Sequence, residues 1–297
     1  MSGTSRLDKN RRARSGQSLK RREEINQVII IGELINGTRK PIARAIAERD
    51  AEYIQSLACE QAKAGAAYVD VNAGTTGAKE IEDLAWLVEV VQGVVSVPLS
   101  LDSPNPEALE RALEVYRGPK PLINSVTAEA ERVEKVLPLV VSSGASVIAL
   151  CLSDRGMPAD AEERVAVAKE LVEKIMGAGV EPGRIFIDPV VVPEGTDHRA
   201  GSWVLDAIGQ LRTLFPDCHI TGGLSNVSYG LPERRLLNRV FLAMCIGRGL
   251  DSAVIDPCDR EMMATIYAAE ALAGRDEWCM SYLQAFREGK LGAPAQG

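Results

Sequence analysis

From residue 27 onward the chain alternates, eight times over, a short run of apolar and β-branched residues with a longer stretch of helical period. The runs lie at 28–31, 68–71, 98–101, 122–123, 147–152, 185–187, 219–221 and 253–255. The stretches follow at 47–64, 80–91, 107–116, 129–141, 161–176, 203–214, 234–246 and 260–272. A short apolar run leading into an amphipathic stretch is the pattern of a βα unit on a parallel sheet. Eight such units with no second compositional block predict an α/β fold, a single (β/α)8 TIM barrel over residues 27–297. An open Rossmann-like sheet is the competing architecture. It needs a G-x-G-x-x-G turn after its first strand, which Gly32-Glu-Leu-Ile-Asn-Gly37 does not supply.

The 297 residues, 46% hydrophobic and 25% charged, bury a core without help from disulfides or a metal. A formal charge of −7 argues against a nucleic-acid-binding surface over the whole molecule. The charge is uneven, because residues 1–26 carry eight basic side chains against three acids and almost no large apolar ones. Such a segment cannot offset the entropy of ordering and is expected to be a disordered basic extension. Six cysteines stand far apart with no C-x-x-C pair, which fits reduced, mostly buried thiols in the cytoplasm. No apolar run reaches the roughly 18–20 residues of a membrane span, and the N-terminus lacks the apolar stretch of a signal peptide.

In a barrel of this kind chemistry sits where strands end and βα loops begin. Those positions hold Glu33 and Asn36, Asp70 and Asn72, Asp102 and Ser103, Asn124 and Ser125, Ser153 and Asp154, Asp188, Asn226 and Ser228, and Asp256. The rim is built of carboxylates and carboxamides. With Cys151 alone inside the fifth run, no nucleophilic triad is apparent, and Lys40 is the only lysine near a strand end. Carboxylates accept and amides both donate and accept, so this set suits a flat heterocycle with an amidine-like edge, such as a pterin. Asp102 and Asp188 would take its amino and ring N–H protons, and Asn124 and Asn226 would face ring nitrogens or the carbonyl. The bland alternative is that rim residues cap the following helices, which is plausible for Asp70, Ser103 and Asp256.

A rival chemical reading has Glu33, Asp70, Asp102, Asp188 and Asp256 surrounding Mg2+. Zinc is less compatible, because the chain has only His198 and His219. Asp217-Cys-His219-Ile-Thr-Gly222 matches the D-x-H-x-x-G pattern by which corrinoid domains offer a histidine to cobalt. The match reads as accidental, because the same residues form the seventh barrel strand. His219 is expected to be a partly buried strand residue.

Read together, the strand-end blocks resemble the methyltetrahydrofolate:corrinoid methyltransferases, pterin-binding TIM-barrel enzymes related to the folate domain of cobalamin-dependent methionine synthase. The matching segments are I-I-G-E-L-I-N-G at 30–37, V-D-V-N-A-G at 69–74, L-D-S at 101–103, I-N-S at 123–125, I-D-P at 187–189, G-G-L-S-N-V-S at 222–228 and L-L-N-R-V-F-L-A-M at 236–244. Each block alone is weak, and their order and spacing over six strand ends and the helical stretch after the last of them carry the likeness. Dihydropteroate synthase shares the D-S and I-N positions but usually carries Ser-Arg-Lys after its seventh strand, where this chain reads Ser225-Asn226-Val227-Ser228. The missing cation favours a methyl-carrying reduced folate over a pyrophosphate-bearing substrate.

The resemblance implies that Asp102, Asn124 and Asp188 hold the pterin and that Asn226 lies beside its N5. Asn226 and Asp188 would then be catalytic. Tyr229 and Arg234 would line the same pocket, Arg234 meeting the folate's anionic tail. It further implies methyltetrahydrofolate or tetrahydrofolate as substrate, a corrinoid (cobalamin) carried by a partner protein, no metal bound by this chain, and a homodimer. The alternatives are a dihydropteroate synthase-like folate enzyme and a folate-binding module without catalysis.

Overall fold

The computed structural model describes residues 27–291, so the expected extension at 1–26 lies outside the described residues. Eight strands follow one another round a ring: β1 (Ile29–Asn36), β2 (Tyr68–Asn72), β3 (Leu99–Asp102), β4 (Leu122–Thr127), β5 (Ser146–Leu150), β6 (Ile185–Asp188), β7 (His219–Ile220) and β8 (Ser252–Ile255). All pairings are parallel, from β1 through to β7, with β8 against β1. The remaining seam is sewn by Asp251 N–H to the Ile220 carbonyl at 3.3 Å and by Val254 N–H to the Gly222 carbonyl at 3.1 Å. The fold is the (β/α)8 barrel that the eightfold repeat predicts.

The helices are α1 (Lys40–Glu48), α2 (Ala51–Lys63), α3 (Ala78–Gln92), α4 (Pro106–Val115), α5 (Ala130–Ser143), α6 (Ala161–Gly177), α7 (Ala200–Leu214), α8 (Arg234–Arg248), α9 (Arg260–Leu272) and α10 (Met280–Arg287). The stretch expected at 47–64 forms α2, and a separate helix, α1, precedes it at Lys40–Glu48. Arg49 takes a left-handed φ of 55° at the end of α1, and the Asp50 side chain accepts from Tyr53 N–H to start α2. The Arg49 guanidinium pairs with Asp83 at 2.7 Å and lies 4.9 Å over the Trp86 ring, so contacts to α3 stabilise the break. A second departure is α10, whose first turn is fixed by Asp276 accepting from Ser281 and Tyr282 N–H at 2.9 Å. A third concerns the thiols: Cys151, Cys218 and Cys245 are buried, but Cys59, Cys258 and Cys279 are exposed.

The strands read along their length explain where the core ends and the site begins. Residues facing outward, among them Val69, Val71, Leu99, Leu101, Ile123, Val147, Ile185 and Ile187, join the helices in one large core. Each fully buried Leu or Ile there contributes roughly 1.5–3 kcal/mol. A second, small cluster of Ile31, Leu122, Ile148 and Phe186, with Ile29, Tyr68 and Val254 against it, plugs the barrel interior. Phe186 also stacks on His219, ring centroids 4.6 Å apart. Side chains alternate across a strand, so the next inward position lies two residues on. Beyond Ile31, Tyr68, Leu122, Phe186 and Val254 those positions are Glu33, Asp70, Asn124, Asp188 and Asp256.

Candidate active site

Above the apolar plug the polar residues gather into three groups. The first spans β2, β3 and β4. Asn72 and Asp102 are register partners, and Asn72 donates its side-chain amide to Asp102 Oδ2 at 2.8 Å while its own Oδ1 accepts from Gly74 N–H at 2.7 Å. Asp102 is in turn the register partner of Asn124, whose amide lies 3.3 Å from Asp70 Oδ1. Asp70 is buried and also accepts from Ser100 Oγ at 2.6 Å.

Burial raises the pKa of Asp102 to about 6, against the stabilising Asn72 hydrogen bond and the charge of Arg132. Burial also raises Asp70 well above the ordinary aspartate value, and the neighbouring Asp102 charge adds to it. Asp70 is therefore a wall residue that orients Asn124, not the helix cap its position suggested. Ser103 is not a cap either. It donates to the buried Glu80 at 2.5 Å and accepts from Asn105 N–H, and Asn105 caps α4.

The second group joins β6 to the loop after β7. Asp188 is buried, its Oδ1 accepts from Val190 N–H at 2.8 Å, and Gly223 N–H supplies a further bond. Burial nevertheless raises its pKa to about 6. Asn226 is exposed in the short 3-10 turn Leu224–Ser228. Its backbone N–H bonds to Gly223 O at 3.2 Å, and its side-chain amide lies back toward Gly223 with no hydrogen bond to any described residue.

The third group closes the ring. Glu33 pairs with Arg39 at 3.0 Å and accepts from Ser225 Oγ at 3.1 Å. Burial raises its pKa against the Arg39 charge. Glu33 and Ser225, with Arg235, Asn238, Asp256 and Met262, line a cavity of about 130 Å³. Asp256 accepts from Cys258 N–H at 2.8 Å, whereas Asp259 caps α9. A larger hollow of about 640 Å³ lies outside the barrel between α6 and α7, away from the strand ends.

The structure thus brings Asp102 and Asn124 together, sets Asp188 beside the loop that carries Asn226, and leaves Tyr229 and Arg234 further out. Tyr229 is 69% exposed. Arg234 is exposed too, its guanidinium 5.8 Å from the Tyr229 ring, and it donates to Ser228 Oγ at 3.0 Å and to the Ser225 carbonyl at 2.8 Å. Arg234 therefore braces the turn that displays Asn226.

Two buried arginines went unnoticed in the strand-end reading. Arg132 of α5 donates to the carbonyls of Ser103, Pro104 and Ser125, tying the loops after β3 and β4 together. Arg164 of α6 is fully buried and donates to the carbonyls of Pro158 and Asp160 at 3.0 and 2.9 Å, and to that of Val190 at 3.4 Å. Their signal in the sequence is a cation on the apolar stripe of a helix, Arg132 in line with Val136 and Val140, and Arg164 with Ala168, Leu171 and Ile175.

Among the described residues no three His, Cys, Asp or Glu side chains are grouped to hold a metal ion, so the Mg2+ arrangement is not formed. His219 is buried at the lower end of β7, with Nδ1 3.1 Å from Asp251 Oδ2. It is a strand residue, as expected.

Residues 32–256 match the family described as pterin binding enzyme. The chain is 40% identical over 267 residues to a methylcorrinoid:tetrahydrofolate methyltransferase of Eubacterium limosum, covering 89% of this chain and 98% of that protein. It is 32% identical over 241 residues to a methionine synthase of Mycobacterium tuberculosis, covering 77% of this chain and 20% of that longer protein. Among solved structures, dihydropteroate synthases share the fold. That of Stenotrophomonas maltophilia superposes with a TM-score of 0.63 at 17% identity, over 86% of this chain and 94% of the other. That of Yersinia pestis gives 0.64 at 15%, over 84% and 94%. The site lies within the matched span, and the most extensive of these sequence likenesses, to the methylcorrinoid:tetrahydrofolate methyltransferase, runs nearly end to end. The chain belongs to the pterin-binding enzymes, in the family of the methyltetrahydrofolate:corrinoid methyltransferases.

Proposed function

We infer that this chain is a methyltransferase that moves the N5-methyl group between methyltetrahydrofolate and the cobalt of a corrinoid protein. The observation that carries the reading is the pair of strand-end carboxylates, the half-buried Asp102 and the buried Asp188, each pushed by burial up to about 6. Each keeps acceptor capacity for a ligand that presents an amino group beside a ring N–H. Asn124 completes that edge. The turn Leu224–Ser228 contains no lysine or arginine of its own, and the nearby Arg234 spends its guanidinium on the Ser225 carbonyl and Ser228 Oγ, which suits a pyrophosphate poorly.

The N5-methyl leaves a poor leaving group, so transfer requires positive charge to develop on N5 and the nitrogen to keep the electron pair of the broken C–N bond. The methyl passes to cobalt, whose electron pair forms the new bond. Asn226 has an unengaged amide, so its oxygen can turn toward protonated N5 and stabilise that charge more in the transition state than in the ground state. Asp188, through water, is the proton carrier in the same proposal. Tyr229 and Arg234 stand at the outer edge, where a folate tail would pass.

The partner in this reading is a corrinoid protein, and the working compartment is the cytoplasm. Among the described residues no helix is long and apolar enough to cross a membrane. A homodimer is part of the proposal, and Leu236, Val240 and Met244, exposed along α8, offer a face for a second copy. Light scattering tests it.

The decisive experiment mixes the purified chain with methyltetrahydrofolate and chemically reduced cobalamin and follows methylcobalamin by absorbance. Enzymatic turnover is expected. A folate-binding module would give binding heat and no methylcobalamin, and a chain without binding heat would overturn the assignment.

A further inference from the structure

Arg164 carries a full charge into the interior, yet among the described residues it forms no ion pair within 4.0 Å, and its Nε has no hydrogen-bond partner. A buried cation satisfied only by carbonyl dipoles is costly, and a carboxylate would ordinarily stand against it. Of the carboxylates whose charge acts on it, Asp160, Glu163 and Asp188, only Asp188 stands at a strand end, and it is held one step away. Arg164 binds the Val190 carbonyl at 3.4 Å, and Val190 N–H binds Asp188 Oδ1 at 2.8 Å. Val190 sits at φ 64°, a backbone conformation that a β-branched residue seldom adopts. The strained residue thus presents its carbonyl to the cation and its amide to the anion.

The same layout recurs across the barrel. Arg132 spends its guanidinium on the carbonyls of Ser103, Pro104 and Ser125, directly behind Asp102 and Asn124. A direct fork-to-fork salt bridge would fill the carboxylate oxygens that a ligand must use. A cation one layer back supplies its field through the poorly screening interior and leaves those oxygens free.

We propose that Arg164 is a positioning residue that keeps Asp188 ionised and aimed at the pterin without touching either ligand or carboxylate, and that Arg132 does the same for Asp102. The proposal rests on the folate-binding reading above and goes beyond it by assigning the charge state of the binding carboxylates to residues outside the pocket.

The groups that face these carboxylates are few. Asp188 faces Arg164 from α6, the Cys151 thiol just after β5, and the amides of Val190 and Gly223. The charges of Asp160 and Glu163 also act on Arg164. Asp102 meets Asn72 and Asp70 from β2, Glu80 from α3 and Arg132 from α5, with Glu129 beside Arg132.

The test is a carbon-13 NMR titration of the full chain labelled at its aspartate carboxyl carbons, with Asp188→Asn and Asp102→Asn assigning the signals. Arg164→Gln should raise the Asp188 midpoint by about one to two pH units and leave Asp102 in place. Arg132→Gln should do the reverse, and Arg164→Lys should restore the wild-type midpoint. Calorimetry with methyltetrahydrofolate should show Arg164→Gln binding roughly three- to tenfold more weakly at pH 7, with the gap closed by pH 9, where Asp188 is ionised in either protein. A titration of the ligand itself is common to all variants and cancels.

An unmoved Asp188 midpoint in folded Arg164→Gln overturns the proposal. So does an equal effect of Lys and Gln, or an affinity loss that persists at pH 9, since these mark a packing role. Should Arg164→Gln fail to fold, Arg132→Gln decides the matter on Asp102 by the same criteria. If wild type binds no folate, the functional reading fails, and the carboxyl midpoints still decide this one.

Discussion

Asn72 and Asp102, partners at the ends of neighbouring strands, are joined by an amide-to-carboxylate hydrogen bond of 2.8 Å. Gly74 N–H holds the amide oxygen, so Asn72 can present only its NH2 group to Asp102. The bond occupies Oδ2 and leaves Oδ1 for a ligand. Asp102→Asn should therefore weaken methyltetrahydrofolate binding roughly ten- to a hundredfold, the scale of one charge-assisted hydrogen bond. Asn72→Ala leaves the ligand's own bond to Oδ1 in place and should cost only about fivefold, an indirect loss smaller than that of the ligand's own bond. Isothermal calorimetry checks both, and equal losses would contradict the division of roles.

The buried carboxylates make stability depend on pH with a definite sign. Asp102 and Asp188 are raised to about 6, and Glu270, which accepts from Val28 N–H, to about 7, all above their unfolded values. The folded state therefore binds more protons than the unfolded chain between about pH 4 and 7, and stability rises as pH falls through that window. Urea unfolding without folate should give higher stability at pH 5.5 than at pH 8. Asp188→Asn should be stabilising at pH 8 by roughly 3 kcal/mol, an order of magnitude from a shift of about two units, while folate affinity falls. A wild-type protein more stable at pH 8 would show that these groups ionise freely.

Asn226 has no bond to break when its side chain is removed. Asn226→Ala should leave folding and folate affinity nearly unchanged and slow methyl transfer roughly ten- to a thousandfold, the scale of one positioned hydrogen-bonding group. Stopped-flow absorbance of the cobalamin provides the rate. Unchanged turnover at saturating methyltetrahydrofolate would remove Asn226 from the chemistry.

His219 stacks on Phe186 and bonds Asp251, below the polar floor. His219→Ala should destabilise the chain by about 1–3 kcal/mol through lost stacking and hydrogen bonding, with methyl transfer per folded molecule within about twofold of wild type. Denaturant unfolding and the cobalamin assay together test this. Loss of transfer at unchanged stability would instead make His219 a cobalt ligand.

The eight βα units were legible because period-2 and period-3.6 patterns are local, and on five strands the inward face changes from apolar to polar within two residues. Ile31 to Glu33, Tyr68 to Asp70 and Phe186 to Asp188 are such steps. The break at Arg49–Asp50 was not legible, because it depends on Asp83 and Trp86 of another helix.

The sequence by itself determined the barrel, the ring of carboxylates and amides at its mouth, and the order of blocks that ties the chain to its family. Only the tertiary structure decided what each polar residue does. Asp70 orients Asn124, Arg234 braces a turn, and Arg132 and Arg164 stand behind the pocket. The physical reason is that a carboxylate's charge state and free lone pairs depend on burial and on partners 30 or more residues away. Strand periodicity fixes which way a side chain points and carries no information about whom it meets.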